Sequence, residues 1–304
     1  MMVDLIQAAN ILSKDGVVAV PSETVYGLAA RIDSELGIDQ IYTLKGRPSK
    51  NPLIVHFASI DQVLEFVDID FKYLPALNVL WPGPLTFVAP LKKSITNKIT
   101  AGLPTLAVRV PAHPTFLRLI EKVGPLAAPS ANKSGLPSAT RAEHVIEDYA
   151  GKVAVIEDPL SLQLGVESTI LIQKDGVLHL GRLGACPLDD LKDFFSVEDQ
   201  IVIENKPICP GQLFRHYAPC CKLVQHLDQT IEAIVGFTDR AYPSCYPFYS
   251  LGSSTDPKAI AQTLFETLRK LDRDHRRCAY IDTDFPNFGL YATITERLKK
   301  AIHG

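Results

Sequence analysis

Pro48 and Pro52 interrupt a basic stretch, Lys45, Arg47 and Lys50, that no helix can cross. The stretch Tyr42-Thr-Leu-Lys-Gly-Arg-Pro-Ser-Lys-Asn-Pro-Leu-Ile-Val-His-Phe57 puts Lys45 and Arg47 either side of Gly46. It adds Lys50 and Asn51 and ends in the apolar run Leu53–Phe57. Each proline fixes φ and pushes the residue before it out of the helical region. A helix over 35–44 must therefore stop here, and 53–57 reads as a short buried strand. A rigid basic loop between helix and sheet suits a polyanion held by side-chain charge rather than by a glycine-rich backbone cradle. A solvated basic loop is the bland alternative.

Short apolar runs and amphipathic stretches alternate along the rest of the chain. Helices are expected at 3–14, 60–80, 114–123 and 141–149, and strands at 17–20, 85–88, 103–111, 125–128, 153–156 and 166–172. Lys174-Asp175-Gly176 is a hairpin signal, and the returning strand ends near Arg182. Hairpins mixed with crossovers imply a mixed sheet rather than a strictly doubly wound one. Residues 204–219 are rich in proline and read as a linker. Beyond it a small α/β domain is expected over 220–304, with helices at 228–236, 256–272 and 290–302 and strands at 222–224, 247–251 and 277–282. The division is thus 1–203, a linker or lid at 204–219, and 220–304.

The formal net charge of −3 argues against wrapping a long nucleic acid, though not against a local basic pocket. No signal peptide or long apolar run is seen, so a cytoplasmic protein is expected. The cysteines Cys186, Cys209, Cys220, Cys221, Cys245 and Cys278 form no C-x-x-C pair, and reduced thiols are expected. No P-loop, zincin, nucleophile-elbow or kinase signature occurs.

Chemistry-bearing residues gather where strands end. Pro21-Ser-Glu-Thr-Val-Tyr-Gly-Leu28 follows the strand at 17–20, with Ser22 or Thr24 also able to cap a helix. Arg109 sits inside an apolar strand, where a cation needs an anion or a cleft. Ser130 and Asn132 follow the strand at 125–128, and Ser138 and Thr140 precede a helix. Gly165-Val-Glu-Ser-Thr169 repeats the theme. Cations, amides and small hydroxyls of this kind hold phosphates and a carboxylate. No nucleophile stands paired with a base.

The chain resembles the two-domain threonylcarbamoyladenylate synthases. Pro21–Leu28, Lys45-Gly-Arg47, Asn51–His56 and Trp81-Pro-Gly-Pro-Leu-Thr86 match the YrdC-type domain, as do Ala107-Val-Arg109, Ala128-Pro-Ser-Ala-Asn132 and Gly165–Thr169. Pro210-Gly-Gln-Leu-Phe-Arg-His-Tyr-Ala-Pro219 is similar to the linker leading to a Sua-type C-terminal domain. The resemblance implies an α/β fold: a twisted mixed-sheet YrdC-type domain with a concave basic cavity, linked to a small Rossmann-like domain. It implies that L-threonine, bicarbonate (or CO2) and ATP yield threonylcarbamoyl-AMP and pyrophosphate. The product would feed tRNA-threonylcarbamoyl transferase proteins.

Carried over residue by residue, the resemblance gives Thr24, His56, Arg109, Ala128 and Ser168 to L-threonine. It gives Arg47, Asn51, Thr105, Ser130, Asn132, Ser138, Arg182 and Tyr217 to ATP, and Lys45 and Arg47 to catalysis. Mg2+ is expected with the triphosphate, without a dedicated protein cage. Tyr217 is expected to cover the nucleotide as part of a 210–219 lid. Ser22 stands where the family commonly has threonine, which keeps the hydroxyl. Arg182 stands in Gly-Arg-Leu-Gly rather than Arg-Pro-Gly, which keeps the charge. The competing reading is an RNA-binding module that uses the basic cavity without catalysis.

Overall fold

A computed structural model describes residues 1–157, 164–198, 216–228 and 230–303. Residues 204–215 of the linker expected over 204–219, including the first part of the 210–219 lid, lie outside the described residues. The first sheet is built from β1 (Met2–Val3), β2 (Val18–Val20), β3 (Gly27–Arg31), β4 (Ile54–His56), β5 (Leu85–Pro90), β6 (Thr105–Arg109), β7 (Leu126–Ala127), β8 (Ala154–Ile156), β9 (Thr169–Lys174), β10 (Val177–Arg182) and β11 (Val197–Glu198). Their spatial order is β1-β8-β2-β3-β7-β4-β6-β5-β9-β10-β11. Parallel pairs (β4 with β6, β5 with β9) alternate with antiparallel ones (β3 with β7, β5 with β6), so the sheet is mixed.

Helices cover both faces. They are α1 (Leu5–Leu12), α2 (Glu35–Lys45), α3 (Ile60–Phe66), α4 (Leu74–Leu80), α5 (Asn97–Thr100), α6 (Pro114–Val123), α7 (Ala142–Tyr149) and α8 (Leu188–Leu191). One core packs Leu28, Val55 and Phe87 against Ile38, Ile41 and Leu77. The other packs Val18, Val20 and Ala29 against Ala8, Leu12, Phe116 and Ile120. Helix α2 ends as its sequence dictates: Gly46 takes φ 59°, and its backbone N–H closes on Tyr42 and Thr43.

The second domain pairs β12 (Lys222–Val224), β13 (Ala233–Gly236), β14 (Phe248–Ser250) and β15 (Cys278–Ile281) in the order β12-β15-β13-β14, all parallel. Helices α9 (Pro257–Arg273) and α10 (Gly289–His303) flank it. The helix expected over 228–236 is instead a central strand. Ala233, Ile234 and Val235 are buried between β14 and β15, where β-branched residues on both faces favour a strand. The pocket loop at 21–26 leads into strand β3, so neither Ser22 nor Thr24 caps a helix. Ser22 Oγ accepts from the Thr24 and Val25 amides and donates to the Val25 carbonyl, a local turn.

A third core joins the two domains. Val25, Val166 and Ala185 of the first pack with Tyr217 and with Phe265, Ile294 and Leu298 of the second. Gly165 (φ 72°) lies so close to α9 that a Cβ there would clash with the Ala261 carbonyl oxygen. Arg269 and Asp148 form a buried two-pronged ion pair across the same boundary, at 2.9 and 2.8 Å. His144 also pairs with Glu266 there.

Candidate active site

Strand register brings the polar loops to one edge. Parallel pairing sets His56 opposite Arg109 at the ends of β4 and β6, and antiparallel β7 sets Leu126 opposite His56. The chain leaving β7 passes Ala128, Pro129 and Ser130, and Ser130 bridges back to Gly27 at the start of β3. Ser168 precedes β9, and Arg182 ends the neighbouring β10. The cleft so formed is lined by Thr24, Arg47, His56, Arg109, Ala128, Ser130, Asn132, Ser138, Ser168, Arg182 and Tyr217 among the expected residues. Lys45, Asn51 and Thr105 are outside that lining.

Each of those three has a visible place. Lys45 is buried, and its ammonium donates to the Ser130 and Asn132 carbonyls at 2.5 and 2.6 Å. Burial, then the nearby Arg47 charge, pull its pKa well down. Two of its three N–H groups thus hold the 130–132 loop, and the ammonium lies behind the cleft lining. Asn51 braces Arg47, whose Nε donates to the Asn51 carbonyl at 3.2 Å, while the Asn51 amide oxygen is buried without a partner. Thr105 opens β6, at the opposite end of that strand from Arg109.

The guanidiniums are held firmly. Arg47 donates from Nη2 to the Pro52 carbonyl at 2.7 Å. Loss of contact with water, together with repulsion from Arg182, lowers its pKa to about 10 against attraction from Tyr42, so it stays charged at neutral pH. Arg182 wraps the Ser168 carbonyl from Nη2 at 2.8 Å. Ser168 Oγ meets Thr86 at 2.7 Å. Arg109 is buried, and its anion within the protein is Glu23, at 2.6 Å. It also donates from Nη1 to Thr24 at 3.1 Å and from Nε to the Gly83 carbonyl at 3.0 Å. Three of the five N–H groups of a guanidinium are thereby used, which leaves a fork's worth for a carboxylate.

His56 packs against Phe116 with tilted rings at 4.9 Å, and its Nδ1 is buried without a partner. Burial, then the Arg109 charge, keep its pKa well below that of free imidazole, so the ring is neutral. Asn132 fixes its own amide by donating to Lys133 and Leu136, and its side-chain oxygen is left buried and unpartnered. Orphaned polar atoms beside a cleft mark places where a ligand or water completes the bonding.

Glu23 and Glu167 were not singled out by sequence reasoning. Glu167 lines the cleft, accepts from Ser138 at 2.5 Å and pairs with Arg297 at 2.9 Å. Burial pushes its pKa up, but Arg297, Arg182 and Ser138 outweigh that and hold it at about 2. Its motif, Gly165–Thr169, was visible; its partner lies 130 residues away in another domain. Helix α7 carries no side-chain cap, and the Thr140 amide is satisfied by His144 instead.

An α/β cleft lined by fixed guanidiniums and small hydroxyls is suited to binding and positioning anionic substrates. Two family models match the chain. One, described as "Telomere recombination", covers residues 10–184; the other, described as "Threonylcarbamoyl-AMP synthase, C-terminal domain", covers residues 186–302. The threonylcarbamoyl-AMP synthase of Bacillus subtilis is 37% identical, with 98% of this chain and 92% of that protein aligned. That of Pyrococcus abyssi is 36% identical, over 88% and 84%. The crystal structure of P. abyssi Sua5 complexed with L-threonine superposes with a TM-score of 0.87 at 32% identity, covering 98% of this chain and 94% of that one. The chain belongs to the two-domain threonylcarbamoyl-AMP synthase family. No helix among the described residues is long and apolar enough to cross a membrane.

Proposed function

We propose that the protein joins L-threonine, bicarbonate (or CO2) and ATP into threonylcarbamoyl-AMP, with release of pyrophosphate. The observation that carries this reading is the convergence of Arg47, Arg109 and Arg182 on one cleft lined by Thr24, His56, Ser130, Ser138 and Ser168. Arg109 takes the threonine carboxylate on its remaining N–H groups, with Thr24, His56, Ala128 and Ser168 shaping the pocket. Neutral His56 can accept or donate at the threonine end without adding charge. Arg47 and Arg182 face the phosphates, with Ser130, Asn132, Ser138 and Tyr217 along the nucleotide.

The threonine amine nitrogen bonds to the carbon of CO2 and gives up a proton to solvent, or to that of bicarbonate with loss of water, to give a carbamate. A carbamate oxygen then bonds to the α-phosphorus as the bond to pyrophosphate breaks, and the leaving oxygen carries the electron pair. Such a step needs alignment and neutralised phosphate charge more than a protein nucleophile. Arg47 and Arg182 supply that charge from fixed positions, so little reorganisation is required at the moment of transfer.

The lining fits a magnesium ion carried by the nucleotide. The one carboxylate in it, Glu167, is committed to Arg297 and Ser138, while the unpartnered oxygen of Asn132 is free to meet the ion or its waters. When bound, the ion neutralises triphosphate charge. The expected setting is cytoplasmic, with the product passed to tRNA-modifying proteins. No feature of the cleft favours the RNA-binding alternative, since Arg109 and Arg182 are buried rather than displayed. The test is pyrophosphate release from ATP, with bicarbonate and Mg2+ present. Release that requires L-threonine is expected, and release indifferent to threonine, or none from folded protein, would overturn the proposal.

A further inference from the structure

Arg297 reaches from α10 of the second domain into the back wall of the cleft. Its side chain is fully buried. Nε donates to Glu167 at 2.9 Å and Nη2 to the Leu183 carbonyl at 2.8 Å. The guanidinium carbon lies 4.9 Å from the centre of the Tyr217 ring, which also stacks on Phe265 at 5.4 Å. Glu296 stands 3.3 Å from Nη1 without hydrogen-bond alignment. Arg297 itself is not part of the lining, yet Glu167, Ser138 and Tyr217, which it holds directly or through one bond, all are.

Docking alone does not account for this placement. The two domains are already joined by Arg269 with Asp148, by His144 with Glu266 and by the shared apolar core. Burying one more guanidinium costs desolvation that a surface pair would avoid. What distinguishes Arg297 is that its partners Glu167 and Tyr217 line the cleft.

We propose that Arg297 is a positioning residue through which the second domain completes the nucleoside end of the cleft. The proposal rests on the reading of the cleft as an ATP site. Its chemistry runs through Ser138. Held by Arg297, the Glu167 carboxylate stays ionised and takes the Ser138 hydroxyl hydrogen, as its low pKa of about 2 agrees. Ser138 can then offer a ligand only lone pairs. An acceptor meets a donor, so its partner on ATP is a ribose hydroxyl or the exocyclic amine rather than a phosphate oxygen. Tyr217, fixed by Arg297 and Phe265, supplies the adjoining aromatic surface. Phosphate recognition is left to Arg47 and Arg182, whose guanidiniums are held by the Pro52 and Ser168 carbonyls rather than by Arg297.

The experiment is calorimetric titration of the full-length protein with three probes: ATP, inorganic pyrophosphate and L-threonine. Arg297→Met should weaken ATP binding at least fivefold and leave pyrophosphate and threonine within twofold of wild type. If that variant fails to fold, Arg297→Met with Glu167→Gln removes both buried charges, and the same pattern is expected. Arg297→Lys, which keeps the charge without the planar fork, serves if both fail and should show the same loss for ATP. An ATP loss below fivefold overturns the proposal. So does an equal loss for all three probes, which would mark general loosening. The functional reading is tested separately: wild-type protein without threonine-dependent pyrophosphate release would refute that reading, while the three affinities would still decide the role of Arg297.

Discussion

Glu23→Gln separates the pairing that the structure shows for Arg109 from its proposed role at the threonine carboxylate. The Glu23 carboxylate is the counter-charge of a buried guanidinium, with side chains 8% and 4% exposed. Breaking a buried pair while leaving one charge behind costs about 3–5 kcal/mol. Glutamine keeps an acceptor near Arg109, so the lower end, about 3 kcal/mol, is the expected loss. For a domain of this size that lowers Tm by roughly 6–12 °C. Arg109 stays aimed by Gly83 and Thr24, so its remaining N–H groups still meet threonine. The threonine carboxylate then replaces the missing negative charge. Threonine at one saturating concentration should therefore raise the Tm of the variant more than that of wild type, by roughly 3–6 °C for an added interaction of about 1.5 kcal/mol. Differential scanning fluorimetry with and without L-threonine measures both effects. A ligand-free Tm within about 2 °C of wild type, or an equal threonine shift in the two proteins, would refute the reasoning.

Arg47→Ala should lower turnover on the order of 10²-fold, because fixed charge at the reacting phosphate is lost; a fall below tenfold in steady-state kinetics removes Arg47 from that role. His56 bears on pH. Its pKa is lowered in the fold, so its contribution to stability is fully present above the free imidazole value of about 6.5 and is lost as pH falls towards the lowered value. His56→Gln should accordingly lose less Tm than wild type between pH 6.5 and 5, and parallel curves would contradict the assignment. Gly165→Ala forces a Cβ against the α9 backbone at a positive φ. It should destabilise the docking of the two domains by at least about 2 kcal/mol, read as earlier proteolytic cleavage between them; an unchanged digestion pattern would argue against close approach there.

The sequence carried the site by type and the structure supplied the partners. Prolines, buried runs and strand-end hydroxyls were enough to place Thr24, Arg109, Ser130 and Ser168 at strand ends; their grouping in one pocket came from the family resemblance, because pairing between distant strands such as β4 and β6 is not a local property of the sequence. Arg109 was legible as a cation needing an anion. That the anion in the protein is Glu23 was not, since 86 residues separate them. Lys45 has the composition of a phosphate ligand, and only the path of the 130–132 loop reveals that two carbonyls occupy its ammonium. Residues 228–236 carry apolar spacing compatible with either a helix or a strand, and their place between β14 and β15 decided the matter. Arg297 was invisible for a deeper reason: on an amphipathic helix it looks like one more surface cation, and only tertiary packing turns it inward.

The central claim is that one cleft brings threonine, a one-carbon acid and ATP together. The most direct measurement supplies 13C-bicarbonate with ATP, Mg2+ and L-threonine to the purified protein and resolves the products by mass spectrometry. The account predicts an adenylate conjugate that contains threonine and carries the 13C label, formed in step with pyrophosphate. ATP cleavage that yields only unlabelled AMP, or labelled product without threonine in it, would contradict the account.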